Sequence, residues 1–169
     1  MAEASKLKNI EIKKVEEADL PLLLWFIKRI AEYEKLSQEV TATVDTLKDS
    51  FFGSRANAEA YIGYLAGEPV AYAVYFYNFS SFLGKKGMYL EDLFVLPEHR
   101  GKGIGKDILM FLAEKANSEG CGRFEWAVLD WNTSAIDFYK SLGAVPMDEW
   151  TVFRLSGKEL EKYARKSGE

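Results

Sequence analysis

A turn rich in glycine and positive charge is the segment of this sequence with the clearest chemistry. Its residues are Arg100-Gly101-Lys102-Gly103-Ile104-Gly105, and Lys106 follows. An apolar, strand-like run from Leu90 to Leu96 precedes it, and a helical pattern follows it. Glycines let the backbone bend tightly and let its N–H groups approach a ligand. Because the first turn of a helix also has unpaired N–H donors and a partial positive charge, this segment predicts a pyrophosphate seat.

The spacing of the glycines narrows the choice of phosphate ligand. A Walker-A loop needs Ser or Thr after its Gly-Lys pair, whereas here Lys106 is followed by Asp107. A dinucleotide-binding turn needs a two-residue gap before its third glycine, which this segment lacks. The pattern that fits is R-x-x-G-x-G/A, matched by Arg100, Gly103 and Gly105. At this point the sequence resembles the GNAT N-acetyltransferases, for which this pattern is the acetyl-CoA signature.

Composition restricts the class of protein. The chain has 169 residues, of which 48% are hydrophobic and 14% aromatic, which predicts one folded domain spanning 1–169 with a sizeable core. The net charge of −4 argues against a broad nucleic-acid surface and is easier to reconcile with cationic substrates.

Cysteine, histidine and hydropathy patterns suggest a cytoplasmic protein. Cys121 is the only cysteine, so no intrachain disulfide can form and a reducing compartment is expected. With one histidine and one cysteine, we expect no structural zinc and no other metal. The charged N-terminus has no apolar signal-peptide core, and the run from Leu20 to Ile27 is too short to span a bilayer, so no membrane partner is expected.

Helix and strand signals alternate along the chain, which predicts an α/β fold. Strands are expected at 10–15, 58–65, 70–79, 88–95, 124–129 and 150–155. Helices are expected at 20–35, 44–52, 104–119 and 135–142, and residues 157–165 are expected to form a terminal helix or a frayed tail. The first nine residues are expected to be an irregular lead-in. The turn Gly67-Glu68-Pro69 should join two strands in a hairpin, so the sheet is expected to be mixed and not purely parallel.

The resemblance extends from the first predicted strand to Leu155 and is strongest to the spermidine/spermine (diamine) N-acetyltransferases and their thialysine-acetylating relatives. In addition to the glycine turn, the resemblance rests on the segments Ala31-Glu32-Tyr33-Glu34, Tyr89-Leu90-Glu91-Asp92, Trp131-Asn132, Ile136-Asp137-Phe138-Tyr139-Lys140 and Gly143-Ala144. It implies a mostly antiparallel central sheet with helices on both faces, acetyl-CoA as acyl donor, and a homodimer. The loop Ser80-Ser81-Phe82 lacks the acidic residue expected for a polyamine, and Thr133-Ser134 replaces an acidic-proline pair. A thialysine-like amino acid, a diamine or another small primary amine therefore all remain open as acceptors.

The resemblance also implies the residues that bind the cofactor. The backbone of Leu93 and Val95 would bind the pantetheine arm, and the N–H of Leu93 would polarise the thioester carbonyl. The side chains in this strand can belong to the core at the same time. The complete implied set is Leu93, Phe94, Val95, Arg100, Gly101, Lys102, Gly103, Ile104, Gly105, Lys106, Asn132, Thr133, Ser134 and Tyr139.

Acetyl transfer to an amine needs a proton for the leaving thiolate, and Tyr139 is the candidate general acid. A tyrosine has an ordinary pKa of ~10 and is protonated at neutral pH. The resemblance implies this role, while a core-facing aromatic pair with Phe138 is the alternative on composition alone. Asn132 is also an ordinary candidate for a helix N-cap.

The acceptor amine needs carboxylates that bind it. Glu91 and Asp92 interrupt an apolar strand, which is costly unless they are partnered or reach a wet cleft. Strand alternation predicts that they lie on opposite faces. Glu91 is expected to bind the amine, and whether it also removes a proton through water stays open. Asp92, Tyr33 and Glu34 are expected to contact the substrate by resemblance, with a structural role for Asp92 and a solvated helix end for the other two as alternatives.

Two other functions stay open from the sequence. One is an acetyltransferase that acts on a protein amine or an aminoacyl-nucleotide through an open groove. The other is a non-catalytic sensor that binds acyl-CoA. The presence of Tyr139, Glu91 and the full glycine turn argues against the sensor.

Overall fold

The computed structural model describes residues 4–7 and 10–164, in which six strands form one sheet. The strands are β1 (Ala4–Leu7), β2 (Ile10–Lys14), β3 (Ala58–Leu65), β4 (Glu68–Ser80), β5 (Lys85–Val95) and β6 (Phe124–Trp126). They lie side by side in sequence order. Every neighbouring pair is antiparallel except β5 and β6, which are parallel. The predicted mixed, mostly antiparallel sheet is therefore confirmed.

Five α-helices accompany the sheet in the described part of the chain. They are α1 (Leu20–Glu34), α2 (Val44–Phe52), α3 (Ile104–Ser118), α4 (Thr133–Ser141) and α5 (Gly157–Glu161). The chain divides into two compact units, residues 1–127 and 128–169. The first holds the sheet with α1 to α3, and the second holds α4 and α5. None of the described helices is long and apolar enough to cross a bilayer.

The helices begin where side chains satisfy their first N–H groups. Thr43 caps α2, since its hydroxyl accepts the N–H of Thr46 at 3.2 Å. Asn132 caps α4 by accepting the N–H of Ala135 at 3.4 Å. Asp19 precedes α1 as predicted, but its carboxylate accepts the N–H of Glu16 at 2.9 Å, outside the helix.

Aromatic packing places helices on both faces of the sheet, as predicted. On one face, the ring of Phe26 in α1 stacks on that of Tyr72 in β4, with centroids 5.3 Å apart. On the other face, Phe111 of α3 meets Tyr61 of β3 edge-on, with centroids 5.0 Å apart. Because successive strand residues point to opposite faces, Ile62 next to Tyr61 belongs to the α1 side.

Three sequence-based expectations about strands were wrong. Residues 4–7 form β1 on the edge of β2, where an irregular lead-in was expected; residues 1–3 and 8–9 lie outside the described part. The strand expected at 124–129 ends at Trp126. Residues 150–155 form no strand, and Val152 and Phe153 are 86% and 92% exposed. Strand propensity reflects packing against neighbours, and the described sheet ends at β6.

Glu119, directly after α3, ties that helix to the sheet. Its carboxylate accepts from Tyr77 of β4 at 2.6 Å and pairs with Lys86 of β5 at 2.9 Å and Lys115 of α3 at 2.7 Å. Burial pushes its pKa up, but the hydrogen bonds from Lys115, Tyr77 and Lys86 outweigh burial and lower the pKa to about 2. The ionised carboxylate therefore stabilises the folded chain.

We predict that Glu119→Gln destabilises the protein most at neutral pH. A carboxyl whose pKa is lower in the folded chain than in the unfolded chain stabilises the fold at pH values above its unfolded pKa of ~4.3. This stabilisation is lost as the pH falls through the folded pKa of about 2. Urea unfolding at pH 7 should show a loss of about 2 kcal/mol, and this loss should shrink to less than half by pH 3. Glu114→Gln, at an exposed position of the same helix, is the control. A pH-independent difference for Glu119→Gln would contradict this assignment.

Candidate active site

The glycine turn leads from β5 into α3 through left-handed backbone. Gly101 and Gly103 have φ of 73° and 83°, values that residues with a Cβ rarely adopt. The first hydrogen bond within α3 joins the N–H of Asp107 to the carbonyl of Gly103 at 3.0 Å. The N–H groups of residues 104–106 therefore precede the helical ladder and point out of its first turn. Such an arrangement suits an anion.

The side chains of this turn divide between solvent and core. Lys102 and Lys106 are exposed, whereas Ile104 is buried. A Cβ added at Gly105 would meet Val95 at an ordinary contact distance of 3.6 Å. Protein packing therefore does not require glycine at position 105, and the two exposed lysines add positive charge beside the helix start.

Strand β5 has an open backbone side just before the turn. Its pairing with β6 runs from Met88↔Phe124 to Leu90↔Trp126, and no described strand continues that pairing. The N–H of Leu96 donates to Val70 in β4 at 2.9 Å. Because backbone groups alternate in direction along a strand, those of Val95 and Leu93 point away from β4. The structure thus places the backbone of both predicted residues on the side where β6 has ended.

Arg100 joins the end of α1 to the end of β5. Its Nε donates to the carbonyl of Val95 at 2.9 Å. Its guanidinium lies 4.3 Å from the ring centroid of Tyr33 and 5.2 Å from that of Phe94, within cation–π range. Phe94 is buried and pairs with Tyr72 in β4, so its side chain packs in the core. Tyr33 and Arg100, predicted for different ligands, therefore lie together.

A β-bulge places the two carboxylates of β5. Asp92 lies opposite Val74 and Leu90 lies opposite Tyr75, so Glu91 is an extra residue in the strand. The bulge interrupts the alternation from which opposite faces were predicted. Glu91 is exposed, whereas Asp92 is half-buried. Sequence periodicity alone could not reveal the bulge, because only the pairing register shows it.

Asp92 has a buried partner that the sequence did not single out. The hydroxyl of Tyr72 donates to Oδ2 of Asp92 at 2.9 Å. Burial raises the pKa of the Asp92 carboxyl to about 6, opposed by this hydrogen bond and reinforced by the charges of Glu91 and Glu34. Burial likewise raises the pKa of Glu34 at the end of α1. Three carboxylates from α1 and β5 therefore interact electrostatically, an environment that favours a cation.

The second unit carries the predicted acid and the helix that positions it. Tyr139 is half-buried in α4, and its ring centroid lies 5.5 Å from that of Phe138. Burial raises the pKa of the Tyr139 phenol, which keeps it protonated at neutral pH. The cap Asn132 also accepts from Ser134 at 3.3 Å, and Thr133 is exposed at the start of the helix.

Comparison with known proteins decides the family. Residues 23–144 match the acetyltransferase (GNAT) family. This chain belongs to that family. A thialysine N-epsilon-acetyltransferase of Sus scrofa is 37% identical over 171 residues, covering 95% of this chain and all of the relative. An L-ornithine N5-acetyltransferase of Arabidopsis thaliana is 44% identical over 90 residues, covering 53% of this chain and 40% of the relative.

A solved structure agrees with the fold of the acetyltransferase. An integron cassette protein from the mobile metagenome of V. cholerae superposes with a TM-score of 0.78 at 27% identity, over 95% of this chain and all of that protein. The likeness to GNAT enzymes inferred from the glycine turn is therefore confirmed over most of the chain. In the described residues, no group of three or more His, Cys, Asp or Glu side chains could hold a metal ion.

Proposed function

We propose that this acetyltransferase transfers an acetyl group from acetyl-CoA to a primary amine of a small molecule, such as a polyamine, a diamine or a thialysine-like amino acid. The observation that carries the proposal is that Glu34 interacts electrostatically with Asp92 of β5, as does Glu91, on the strand whose open side leads into the glycine turn. Arg100, the first residue of that turn, lies over Tyr33, which precedes Glu34 at the end of α1. One end of the strand thus offers donors for an anion, and carboxylates for a cation lie next to it. The two relatives act, by their names, on side-chain nitrogens of amino acids, which supports a small amine.

The glycine turn is the proposed seat of the CoA pyrophosphate. Its left-handed glycines keep Cβ atoms away from the ligand, and the N–H groups of residues 104–106 face outward. Lys102 and Lys106 add positive charge. The outward N–H and carbonyl groups of Leu93 and Val95 match the amide-rich pantetheine arm, with the Val95 carbonyl already accepting from Arg100. Asn132, Thr133 and Ser134 complete the proposed cofactor set.

The reaction follows from the groups available. Glu91, Asp92 and Glu34 bind the ammonium form, and one proton must leave before attack, since an alkylammonium has a pKa of ~10.4. Glu91 is exposed and can accept that proton through water. The neutral amine forms a bond to the thioester carbon, while the N–H of Leu93 donates to the carbonyl oxygen that gains negative charge. The carbon–sulfur bond breaks, and Tyr139 donates its proton to the thiolate. The attacking nitrogen, now cationic, loses its second proton to water, and water returns a proton to the Tyr139 oxygen, giving the acetamide, free CoA and a neutral tyrosine.

Both units belong to this function in our proposal. The family match from residue 23 to 144 crosses the boundary after Ala127, which supports a single acetyltransferase domain. Cys121 is a free thiol, which suits a reducing cytoplasmic compartment.

We also propose a homodimer. In the second unit, Trp150, Val152 and Phe153 are 74%, 86% and 92% exposed in a segment whose sequence is typical of a strand. Exposed apolar segments of this kind commonly pack against another chain. Sedimentation equilibrium should give twice the chain mass of 19.2 kDa. A mass of 19.2 kDa at micromolar concentration would contradict the dimer.

The glycine turn can be tested by adding one methyl group. Gly103→Ala strains a backbone with φ of 83° beside the ligand, and we expect acetyl-CoA affinity to fall roughly tenfold or more because charge-assisted hydrogen bonds are misplaced. Gly67→Ala is the matched control, since Gly67 has φ of 86° and equally open surroundings in the β3–β4 turn. Both variants should lose similar stability in thermal unfolding. Calorimetric titration with acetyl-CoA should separate them, and equal affinity in the two variants would contradict the proposed pyrophosphate seat.

The function is tested by release of CoA thiol from acetyl-CoA with spermidine, putrescine, lysine, thialysine and a basic peptide. We expect turnover with at least one of the small amines and little with the peptide. Turnover with the peptide alone would indicate a protein acceptor, and tight binding of acetyl-CoA without turnover would indicate a sensor. Either result would overturn the proposed acceptor class.

Tyr139→Phe should lower kcat with the best amine by about 10²–10⁴-fold, because the proton donor to the thiolate is lost. The KM for acetyl-CoA should change little. Tyr163→Phe is the control, since Tyr163 is 75% exposed in the same unit. Undiminished kcat in Tyr139→Phe would show that another group protonates the thiolate.

A further inference from the structure

The hydroxyl of Tyr72 is fixed by its surroundings. Tyr72 is fully buried in the middle of β4, and its ring stacks on Phe26 of α1 with an angle of 26° between the planes. Strand, helix and aromatic contact together hold the ring in one orientation. The hydroxyl that extends from this ring donates to Oδ2 of Asp92 at 2.9 Å. A rigid donor in the core therefore meets a half-buried carboxylate on the neighbouring strand.

A buried phenol bonded to a carboxylate needs a reason, because apolar residues fill such positions at lower cost. Burial raises the pKa of Tyr72 well above its ordinary value, so the phenol is a permanent donor at physiological pH. A carboxylate can accept about four hydrogen bonds, so one bond from Tyr72 leaves Asp92 able to accept from an ammonium group. The bond thus fixes the carboxylate without occupying it.

Of the groups that face Asp92, the two carboxylates oppose its negative charge and the Tyr72 hydroxyl favours it. Glu34 from α1 and Glu91 from β5 both act on it electrostatically, and Tyr72 from β4 is its hydrogen-bond donor. Further along the same face, the guanidinium of Arg100 lies over Tyr33 and Phe94. Burial and the two carboxylates raise the pKa of Asp92 to about 6, and the bond from Tyr72 works in the opposite direction. Loss of that bond should therefore raise the pKa of Asp92 further.

We propose that Tyr72 is a positioning residue for the acceptor amine: its buried hydroxyl fixes the Asp92 carboxylate and keeps it ionised, ready to pair with the ammonium form of the substrate. This inference rests on the proposed function, because it gives Asp92 the amine as its ligand. The chemistry is that of a primary ammonium group, and the hydroxyl acts through Asp92 without touching the substrate.

The inference is tested by the pH dependence of Tyr72→Phe, which removes one oxygen and keeps the stack on Phe26. The quantity to measure is kcat/KM for the amine in the variant divided by kcat/KM for the amine in the parent protein. A carboxyl pKa that rises by one unit lowers the ionised fraction up to tenfold below neutrality and hardly at all above pH 8.5. The ratio should therefore be about 0.2 near pH 6, fall toward about 0.1 at lower pH and approach 1 at pH 9, with the KM for acetyl-CoA unchanged.

Tyr75→Phe is the matched control. Tyr75 is a fully buried tyrosine of the same strand, and its hydroxyl donates to Glu59 at 3.0 Å. A merely structural loss should give Tyr75→Phe and Tyr72→Phe the same pH-independent ratio. If Tyr72→Phe shows a pH-independent ratio, the inference is wrong, even when its thermal stability has fallen.

A carboxyl titration followed by ¹³C NMR separates this inference from the proposed function. Asp92→Asn identifies the resonance, and Tyr72→Phe should raise the Asp92 pKa above its value of about 6 in the parent protein. An unchanged Asp92 pKa overturns the inference regardless of activity. A raised pKa in a protein that acetylates none of the amines shows that Tyr72 controls Asp92 but overturns the proposed acceptor, and with it the role of Tyr72 in amine binding.

Discussion

Strand β5 is hydrogen-bonded to β4 along most of its length but to β6 over only three residues, Met88–Leu90. The rest of the candidate site depends on this difference. Where β6 ends, the backbone groups of Leu93 and Val95 remain directed away from β4, and the strand then passes through the glycine turn into α3. In a strand paired on both sides, those groups would be hydrogen-bonded to the neighbouring strand. The short parallel pairing thus leaves one side of β5 open for the proposed cofactor, while the long pairing with β4 holds the strand in place.

Along β5 and the glycine turn that follows it, groups that suit a cation are followed by groups that suit an anion. The glycine turn offers N–H groups and exposed lysines, which suit an anion, and the carboxylates of α1 and β5 suit a cation. Arg100, the first residue of the turn, donates to the Val95 carbonyl and lies over the ring of Tyr33 near the end of α1. At the far end of α3, Glu119 ties the helix to β4 and β5. The helix that presents the turn is therefore anchored at both ends, which fits a site that must align two ligands.

The sequence predicted most of this architecture because its signals are local. Thr43, Asn132 and the glycine turn mark helix starts through side-chain and backbone chemistry that needs no distant partner. The expectations that were wrong concern features that depend on contacts between distant parts of the chain. The strand expected at 150–155 has suitable residues but no described neighbour, and β1 forms because β2 offers an edge. The bulge at Glu91 and the bond from Tyr72 to Asp92 depend on the register of β4 against β5, which a single-strand pattern does not contain. The roles of Tyr139 and of the cofactor-binding set remain predictions.

We propose that the open side of β5 and the glycine turn together bind the acyl donor. Amide NMR of the full chain during titration with CoA tests it most directly. We expect the largest chemical-shift changes on the amides of residues 101–106 and of Leu93 and Val95, with β3 unaffected. Saturable CoA binding that leaves all of these amides unchanged would contradict it.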